Sequence, residues 1–264
     1  MGKIIAIANQ KGGVGKTTTS INLAASLAKA GVSTLLVDLD PQANASNGVG
    51  VQKEQINETI YDVLMNEADI NAAIVPTAIN LLKVLPSSIN LAGAEVELVE
   101  KDEQIRHFVL KNVLSAVKDK FTFIIIDCPP SLSLLTLNAL VSADSLLIPV
   151  QAEYYALEGL GQLLNTLSSV RSSLNSKLEV EGVVMTMFDS RLRLANQVVD
   201  EVKNYFGEKV YSTIIPRNIR LTEAPSYSLP ILLYDPNSTG AKRYIELAKE
   251  VVMNNKPLFT KKKS

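Results

Sequence analysis

Residues Lys3 to Thr19 constrain the possible fold more than any other stretch of the chain. They read K-I-I-A-I-A-N-Q-K-G-G-V-G-K-T-T-T. Ile4, Ile5 and Ile7 with the intervening alanines form a short apolar run that stops at Asn9-Gln10 and a glycine-rich turn. An amphipathic segment, Thr17 to Ala30, follows. Buried strand, tight loop and helix N-terminus in that order build a phosphate cradle: loop N–H groups converge on an anion and the helix dipole adds partial positive charge. Gly12, Gly13 and Gly15 supply backbone freedom there. Lys16 is then placed to reach the β- and γ-phosphates of a nucleoside triphosphate, and the Thr17 hydroxyl to ligate Mg²⁺.

The pattern G-x-x-x-x-G-K-[ST] is not met literally, because its first glycine falls on Gln10. The loop instead carries a second lysine, Lys11, which is the deviant Walker A form K-G-G-x-G-K-[ST]. Thr34 to Leu39 reads as a second buried strand running into Asp38-Leu39-Asp40-Pro41-Gln42. Two carboxylates at period two share one side of a strand at its carboxyl end, where ligands sit in open parallel sheets. Asp40 lies far enough beyond Lys16 for a helix and one strand to return it to the phosphates, and a catalytic role is expected for it. Asn44 to Gly50 is expected to be a loop beside the nucleotide. Thr122 to Asp127 is the most apolar strand and ends in Cys128-Pro129-Pro130-Ser131, so Asp127 has the position of a Walker B acid.

Further strands are expected at Leu81–Leu85, Asp144–Val150, Glu179–Met187 and, more weakly, Val210–Ile215, with Pro230–Leu233 extended. Helical spacing covers Asn57–Met65, Asp69–Val75, Asn90–Lys118 with a break at the charged Glu100–Glu103 region, Leu132–Val141, the stretch from Gln151 to about Leu174, Ala195–Phe206 and Ser238–Met253. Strand and helix alternate without a linker or an internal repeat. The expected fold is therefore a single α/β domain, doubly wound, with a mostly parallel sheet of seven or eight strands and helices on both faces. Residues 1–255 form that domain, and 256–264 a short basic tail expected to lack order.

No apolar run approaches the ~20 residues of a membrane span. Strand onset at the third residue leaves no room for a signal peptide. A single cysteine excludes a disulfide framework and fits a reducing cytosol. The net charge of −1 hides an asymmetry. From Met185 onward the chain holds 13 Lys and Arg against 8 Asp and Glu, leaving 13 basic and 19 acidic residues before it. A basic final third is compatible with a polyanionic partner.

With A-N-Q-K-G-G-V-G-K-T-T-T, V-D-L-D-P-Q, I-I-I-D-C-P-P-S, E-Y-Y-A-L-E-G and I-I-P-R-N-I-R-L-T-E-A-P-S in one order, the chain resembles the ParA (Soj-like) partition ATPases. These belong to the deviant-Walker group of P-loop NTPases that also holds MinD and the nitrogenase iron protein. The likeness runs from Lys3 to about Met253 and matches the small form without an N-terminal helix-turn-helix.

The resemblance implies a slow ATPase with ATP and Mg²⁺ as cofactors and a homodimer that sandwiches two nucleotides. Gly12, Gly13, Val14, Gly15, Lys16, Thr17 and Thr18 would cradle phosphate, with Lys11 reaching across to the partner's phosphates. Asp40 would orient the attacking water, with Asp38 as the switch carboxylate beside it. Thr17, Asp127 and Asp40 would serve the metal, and Pro216, Arg217 and Asn218 the adenine. Arg191 and Arg220 match positions of sequence-independent DNA contact; Arg193, Lys242 and Arg243 extend that patch by charge. The plain alternative is that these arginines form intramolecular ion pairs. Implied partners are non-specific DNA and a ParB-like centromere-binding protein, and the implied location is cytoplasmic and nucleoid-associated. Rival readings are a MinD-like membrane switch, which Pro257 argues against, and a positioner of protein cargo.

Overall fold

The computed structural model describes residues 2–260 except 53, 55, 154 and 155. In chain order the first half comprises β1 (Lys3–Ile7), α1 (Lys16–Lys29), β2 (Thr34–Asp38), α2 (Asn44–Gly48), α3 (Ile60–Met65), α4 (Ile70–Ala73), β3 (Val75–Pro76), β4 (Leu82–Leu85), α5 (Leu91–Glu100), α6 (Glu103–Arg106), α7 (Val109–Ser115) and β5 (Phe123–Asp127). The second half comprises α8 (Leu134–Ser142), β6 (Ser145–Gln151), α9 (Ala156–Ser173), β7 (Glu179–Thr186), α10 (Arg193–Phe206), α11 (Ile219–Glu223), α12 (Ile231–Tyr234), α13 (Thr239–Asn254) and α14 (Pro257–Thr260).

The strands form one seven-stranded sheet in the order β3-β4-β2-β5-β1-β6-β7. Every pairing is parallel except that of the two-residue edge strand β3 with β4. Alternation along β1 divides the core. Ile4 and Ala6 face one layer, with α3, α5 and α7 to α10; Ile5 and Ile7 face the other, with α1 and α13. Central strands buried on both faces need aliphatic residues throughout, which is why they read as continuous apolar runs. The expected doubly wound fold is the one observed.

The loop after β1 leaves from the point where the chain order reverses, because β5 lies on one side of β1 and β6 on the other. That is the crevice in which such sheets bind ligands.

Four local expectations change. Asn44–Gly48 is a helix rather than a loop; the Ser46 N–H and hydroxyl both donate to the Asp38 carboxylate at 2.7 Å and hold it in place. Val210–Ile215 makes only isolated bridges, Val183 to Val210 and Phe188 to Pro216. The N–H groups of Ser212 and Thr213 instead donate to the Glu250 carboxylate on α13, so they are lost to any ladder. Ile231–Tyr234 is a helical turn rather than an extended piece; Pro230 opens it and the Ile231 N–H donates to Asn22 Oδ1 at 2.8 Å. The tail is ordered through α14, where Leu258 packs against the α1/α13 layer and the Phe259 ring lies 6.3 Å from that of Phe123. Residues 261–264 lie outside the described residues.

Candidate nucleotide site

Gly15, at φ +86°, caps α1 in the left-handed region, and no side chain caps that end. The first-turn N–H groups therefore keep their donors for a ligand. Gly13 is also left-handed, at φ +75°, with nothing within 4 Å of where a Cβ would stand. The Thr186 hydroxyl at the end of β7 donates to the Val14 carbonyl at 2.8 Å and pins the loop to the sheet. Val14 itself is buried and acts through its backbone.

Beside this loop opens a cleft of about 490 Å³. Its walls bring together Gly12, Gly13, Gly15, Lys16, Thr17, Thr18 and Asp40 with Pro216, Arg217 and Asn218. Phosphate-loop residues and the distant 216–218 segment thus share one cavity. Pro130, Thr186, Met187, Ile215, Leu221, Thr222, Pro225 and Tyr244 complete the lining. Sequence reasoning assigned none of these to the site: Ile215, Leu221, Thr222 and Pro225 stand inside the quoted I-I-P-R-N-I-R-L-T-E-A-P-S segment and Pro130 inside I-I-I-D-C-P-P-S, but Thr186 and Met187 at the end of β7 and Tyr244 on α13 carry no local motif.

Lys16 is buried, and its ammonium donates to the Lys11 carbonyl at 3.1 Å, curled back over the loop. Burial lowers its pKa, opposed by its electrostatic interactions with Asp127 first and then with Cys128 and Asp40. Lys11 does not line the cleft. Its ammonium stands 3.4 Å from Glu153 Oε2, and Gln151 donates to the other Glu153 oxygen at 2.6 Å. The following residues of that expected motif, 154 and 155, lie outside the described residues.

The three aspartates divide. Asp40 lies beyond β2 on the cleft wall, where its Oδ1 accepts the Gln42 N–H at 2.9 Å. Asp38, the last residue of β2, is fully buried behind it and accepts from Ser46 and from the Asp40 N–H. Asp127 ends β5 directly opposite Asp38 in the ladder and is also fully buried. Ser20, one turn after Lys16 on α1, donates to Asp127 Oδ1 at 2.7 Å, while Oδ2 has no partner. Burial raises the pKa of both Asp38 and Asp127; the charge of Asp40 adds to the first effect and that of Asp38 to the second. Neighbouring hydroxyls and N–H groups pull the other way.

A buried carboxylate oxygen without a donor, close to Thr17 and at the foot of an anion cradle, suits a hard cation. No group of three His, Cys, Asp or Glu side chains suited to a metal occurs among the described residues. A Mg²⁺ ion here would need phosphate oxygens and water to complete its shell. Cys128 is buried with its thiol pKa pushed well up, first by burial and then by Asp127, which leaves it inert.

Three of the five basic residues expected to form the DNA patch are held by acids. Arg191 makes two hydrogen bonds to Asp189, at 2.9 and 2.6 Å, with its side chain 87% exposed. Arg220 pairs with Glu223 at 2.9 Å and Asp235 at 3.4 Å, and Arg243 with Glu246 at 2.7 Å. Arg193 and Lys242 carry no ion pair among the described residues.

A glycine-rich loop of the deviant Walker A pattern between β1 and α1, with a buried aspartate closing the neighbouring strand β5 of a doubly wound sheet, defines a P-loop nucleotide hydrolase. A family model described as an AAA domain matches residues 2–180. The chain is 58% identical to the sporulation initiation inhibitor protein Soj of Bacillus subtilis, over 96% of this chain and all of the relative. It is 53% identical to the chromosome partitioning protein ParA of Myxococcus xanthus, over 97% of this chain and 90% of that one. A solved structure of cobyrinic acid a,c-diamide synthase from Mycobacterium smegmatis with bound ADP and magnesium superposes with a TM-score of 0.84 at 35% identity, covering 97% and 96% of the two chains. The chain belongs to the Soj/ParA family of chromosome-partitioning ATPases. Among the described residues no helix is long and apolar enough to cross a membrane.

Proposed function

We propose that the chain is an ATP-driven DNA-segregation switch. The observation that carries this reading is the shared cleft, in which Lys16, Thr17 and Asp40 meet the 216–218 segment while Arg191 and Arg220 stand outside it. ATP binds with its phosphates on the loop from Gly12 to Thr18 and its base against Pro216, Arg217 and Asn218. Lys16 leaves the Lys11 carbonyl for the phosphates. Thr17 and Asp127 would hold Mg²⁺, which would supply charge neutralisation on the phosphates, and Asp40 orients the attacking water.

Two protomers close over two nucleotides, and Lys11 exchanges Glu153 for the partner's phosphates, in the manner of an arginine finger. Dimerisation doubles the basic patch of Arg191, Arg220, Arg193, Lys242 and Arg243, so nucleotide binding raises avidity for non-specific DNA and places the protein on the nucleoid. The ion pairs of Arg191, Arg220 and Arg243 do not oppose this. Exposed pairs are weakened by solvent screening, so phosphates can displace the acids. A ParB-type partner stimulates hydrolysis, after which the dimer opens and leaves the DNA. A MinD-like membrane mode is disfavoured because Leu258 packs against the α1/α13 layer and Phe259, partly exposed, tilts its ring toward Phe123 in a helix of only four residues.

The test is Asp40→Ala. Purified in ATP and Mg²⁺, this variant should remain dimeric by light scattering and DNA-bound by gel shift while hydrolysing no ATP. Turnover equal to that of the parent would remove Asp40 from the mechanism.

A further inference from the structure

Helix α5 is apolar on two opposite faces. Leu91, Ala94 and Leu98 point into the core and are 0% exposed. Ala92, Val96 and Val99 of α5, with Ile89 in the turn just before the helix, are spaced i, i+3, i+7 and i+10 and form a second stripe directed at solvent. Ile89, Val96 and Val99 are 63%, 65% and 58% exposed. Exposed helix faces are ordinarily polar, and a contiguous apolar stripe rimmed by charge marks an interaction surface.

The rim has one sign. On the helical wheel Glu95 borders the stripe on one flank, and Glu97 and Glu100 on the other; α5 contains no Lys or Arg. Glu97 holds the Tyr61 hydroxyl at 2.9 Å, while Glu95 and Glu100 carry no hydrogen bond or ion pair among the described residues. A second copy of α5 would set glutamate against glutamate, and nucleic acid or an anionic bilayer would be repelled. We infer that this stripe docks a basic amphipathic helix of a protein partner, whose apolar residues lie on Ile89, Val96 and Val99 while Lys or Arg flank them against Glu95 and Glu100.

The same face is wired to the switch carboxylate. The Ser87 N–H, in the loop that joins β4 to α5, donates to Ser46 Oγ at 3.0 Å. Ser46 Oγ donates to Asp38 at 2.7 Å, and Asp38 accepts the Asp40 N–H at 3.2 Å. A partner that shifts the start of α5 pulls on this chain of bonds and repositions Asp40. The docking stands without the catalytic role proposed for Asp40; only the coupling rests on it.

The probe is a fluorescein-labelled helical peptide with leucine at i, i+3, i+7 and i+10 and lysine on both flanks, titrated into the full chain with ATP and Mg²⁺. Its counterpart carries glutamate in place of lysine and should bind at least ~10-fold more weakly. Val96→Ser with Val99→Ser should weaken the lysine peptide by ~10-fold or more. Glu95→Lys with Glu100→Lys should transfer preference to the glutamate peptide. All four positions are at or near the surface, so unchanged melting and basal turnover will show that the variants fold.

Absence of binding, binding indifferent to both double variants, or self-association of the parent that the valine variant abolishes would each overturn the docking proposal. For the coupling, the lysine peptide should change ATP turnover of the parent but not of Ser46→Ala, which should still bind it. Binding without any change in the parent's turnover would refute the coupling and leave Asp40→Ala as the separate test of the catalytic reading.

Discussion

Asp127→Asn should make the protein more stable when nucleotide is withheld, while impairing its use of nucleotide. The parent carboxyl is fully buried, its Oδ2 lacks a donor, and Asp38 faces it across the ladder. Burial first, and the Asp38 charge second, raise its pKa, so the native state disfavours the ionised form. An acid whose folded pKa exceeds its unfolded value of about 4 contributes most below that value. Stability then falls as pH rises from there toward the folded pKa and stays low above it. Asparagine keeps an oxygen acceptor for Ser20 and carries no charge at any pH. Every tenfold weakening of the acid on folding corresponds to ~1.4 kcal/mol, and a buried amide N–H₂ without an acceptor gives back ~1 kcal/mol or more. The net gain at pH 8 should be on the order of 2 kcal/mol, shrinking toward zero or reversing near pH 4. Urea unfolding at several pH values, without nucleotide or Mg²⁺, reads this directly. Adding both should reverse the order, because only the parent gains full ligand stabilisation. Equal stabilities at pH 8, or a gap that does not change with pH, would refute the argument.

Glu181 should show the opposite pH dependence. Burial pushes its pKa up, but Lys3, Ser145 and Asn255 outweigh burial and lower it. Its contribution is therefore present above the ordinary carboxylate range and lost as pH falls through the folded pKa. Glu181→Ala should cost ~3 kcal/mol in thermal or urea unfolding. The cost comes from removing the acceptor shared by the Lys3 ammonium at 2.5 Å and by the Ser145 hydroxyl and the Asn255 amide at 2.6 Å each, which leaves Lys3 with Asn255 Oδ1 alone. Ala43, at φ +54° immediately before α2, occupies the left-handed region. Ala43→Gly should raise the urea midpoint by the equivalent of ~0.5–1 kcal/mol. Charge reversal of Arg191 or Arg220 should abolish gel-shifted DNA while leaving nucleotide affinity unchanged, and Arg191→Ala should reduce the salt slope of DNA binding by about one.

The phosphate loop was legible in the sequence because its chemistry is local: glycine, lysine and threonine at fixed spacing have one common use after a strand. The sheet was legible because β1, β2, β5 and β6 are buried on both faces and must be aliphatic. What was not legible depends on partners distant in the chain. Asn44–Gly48 looks like a loop until Asp38 is seen to accept both the Ser46 N–H and its hydroxyl. Val210–Ile215 alternates like a strand, but Glu250, on a helix far along the chain, takes two of its N–H groups. The outer stripe of α5 follows helical spacing as regularly as the inner one, and the sequence alone does not say which of the two faces the core. Ser20 lies one turn from Lys16 and Ser46 eight residues from Asp38, yet hydroxyls are too common for spacing to single them out.

Most cations expected to meet phosphate have a weak internal substitute for it. Lys16 rests on a carbonyl of its own loop, Lys11 on the half-exposed Glu153, Arg191 on Asp189, and Arg220 on Glu223 and Asp235. Each substitute would hold its side chain near its proposed place of use, yet the exposed pairs are weak because solvent screens them. Stronger internal partners would tax every binding event, and free side chains would have to lose more rotamer entropy on engagement. The buried carboxylates work in the other direction. Asp38 and Asp127 are costly to ionise in their buried places, a penalty that Mg²⁺ with nucleotide would relieve. Weakly satisfied cations above buried, raised-pKa acids favour a protein that binds nucleotide readily and reverts once the phosphates depart. The switch proposed above needs this balance. It also explains why Asp127→Asn is expected to stabilise the fold and stall the cycle in the same step.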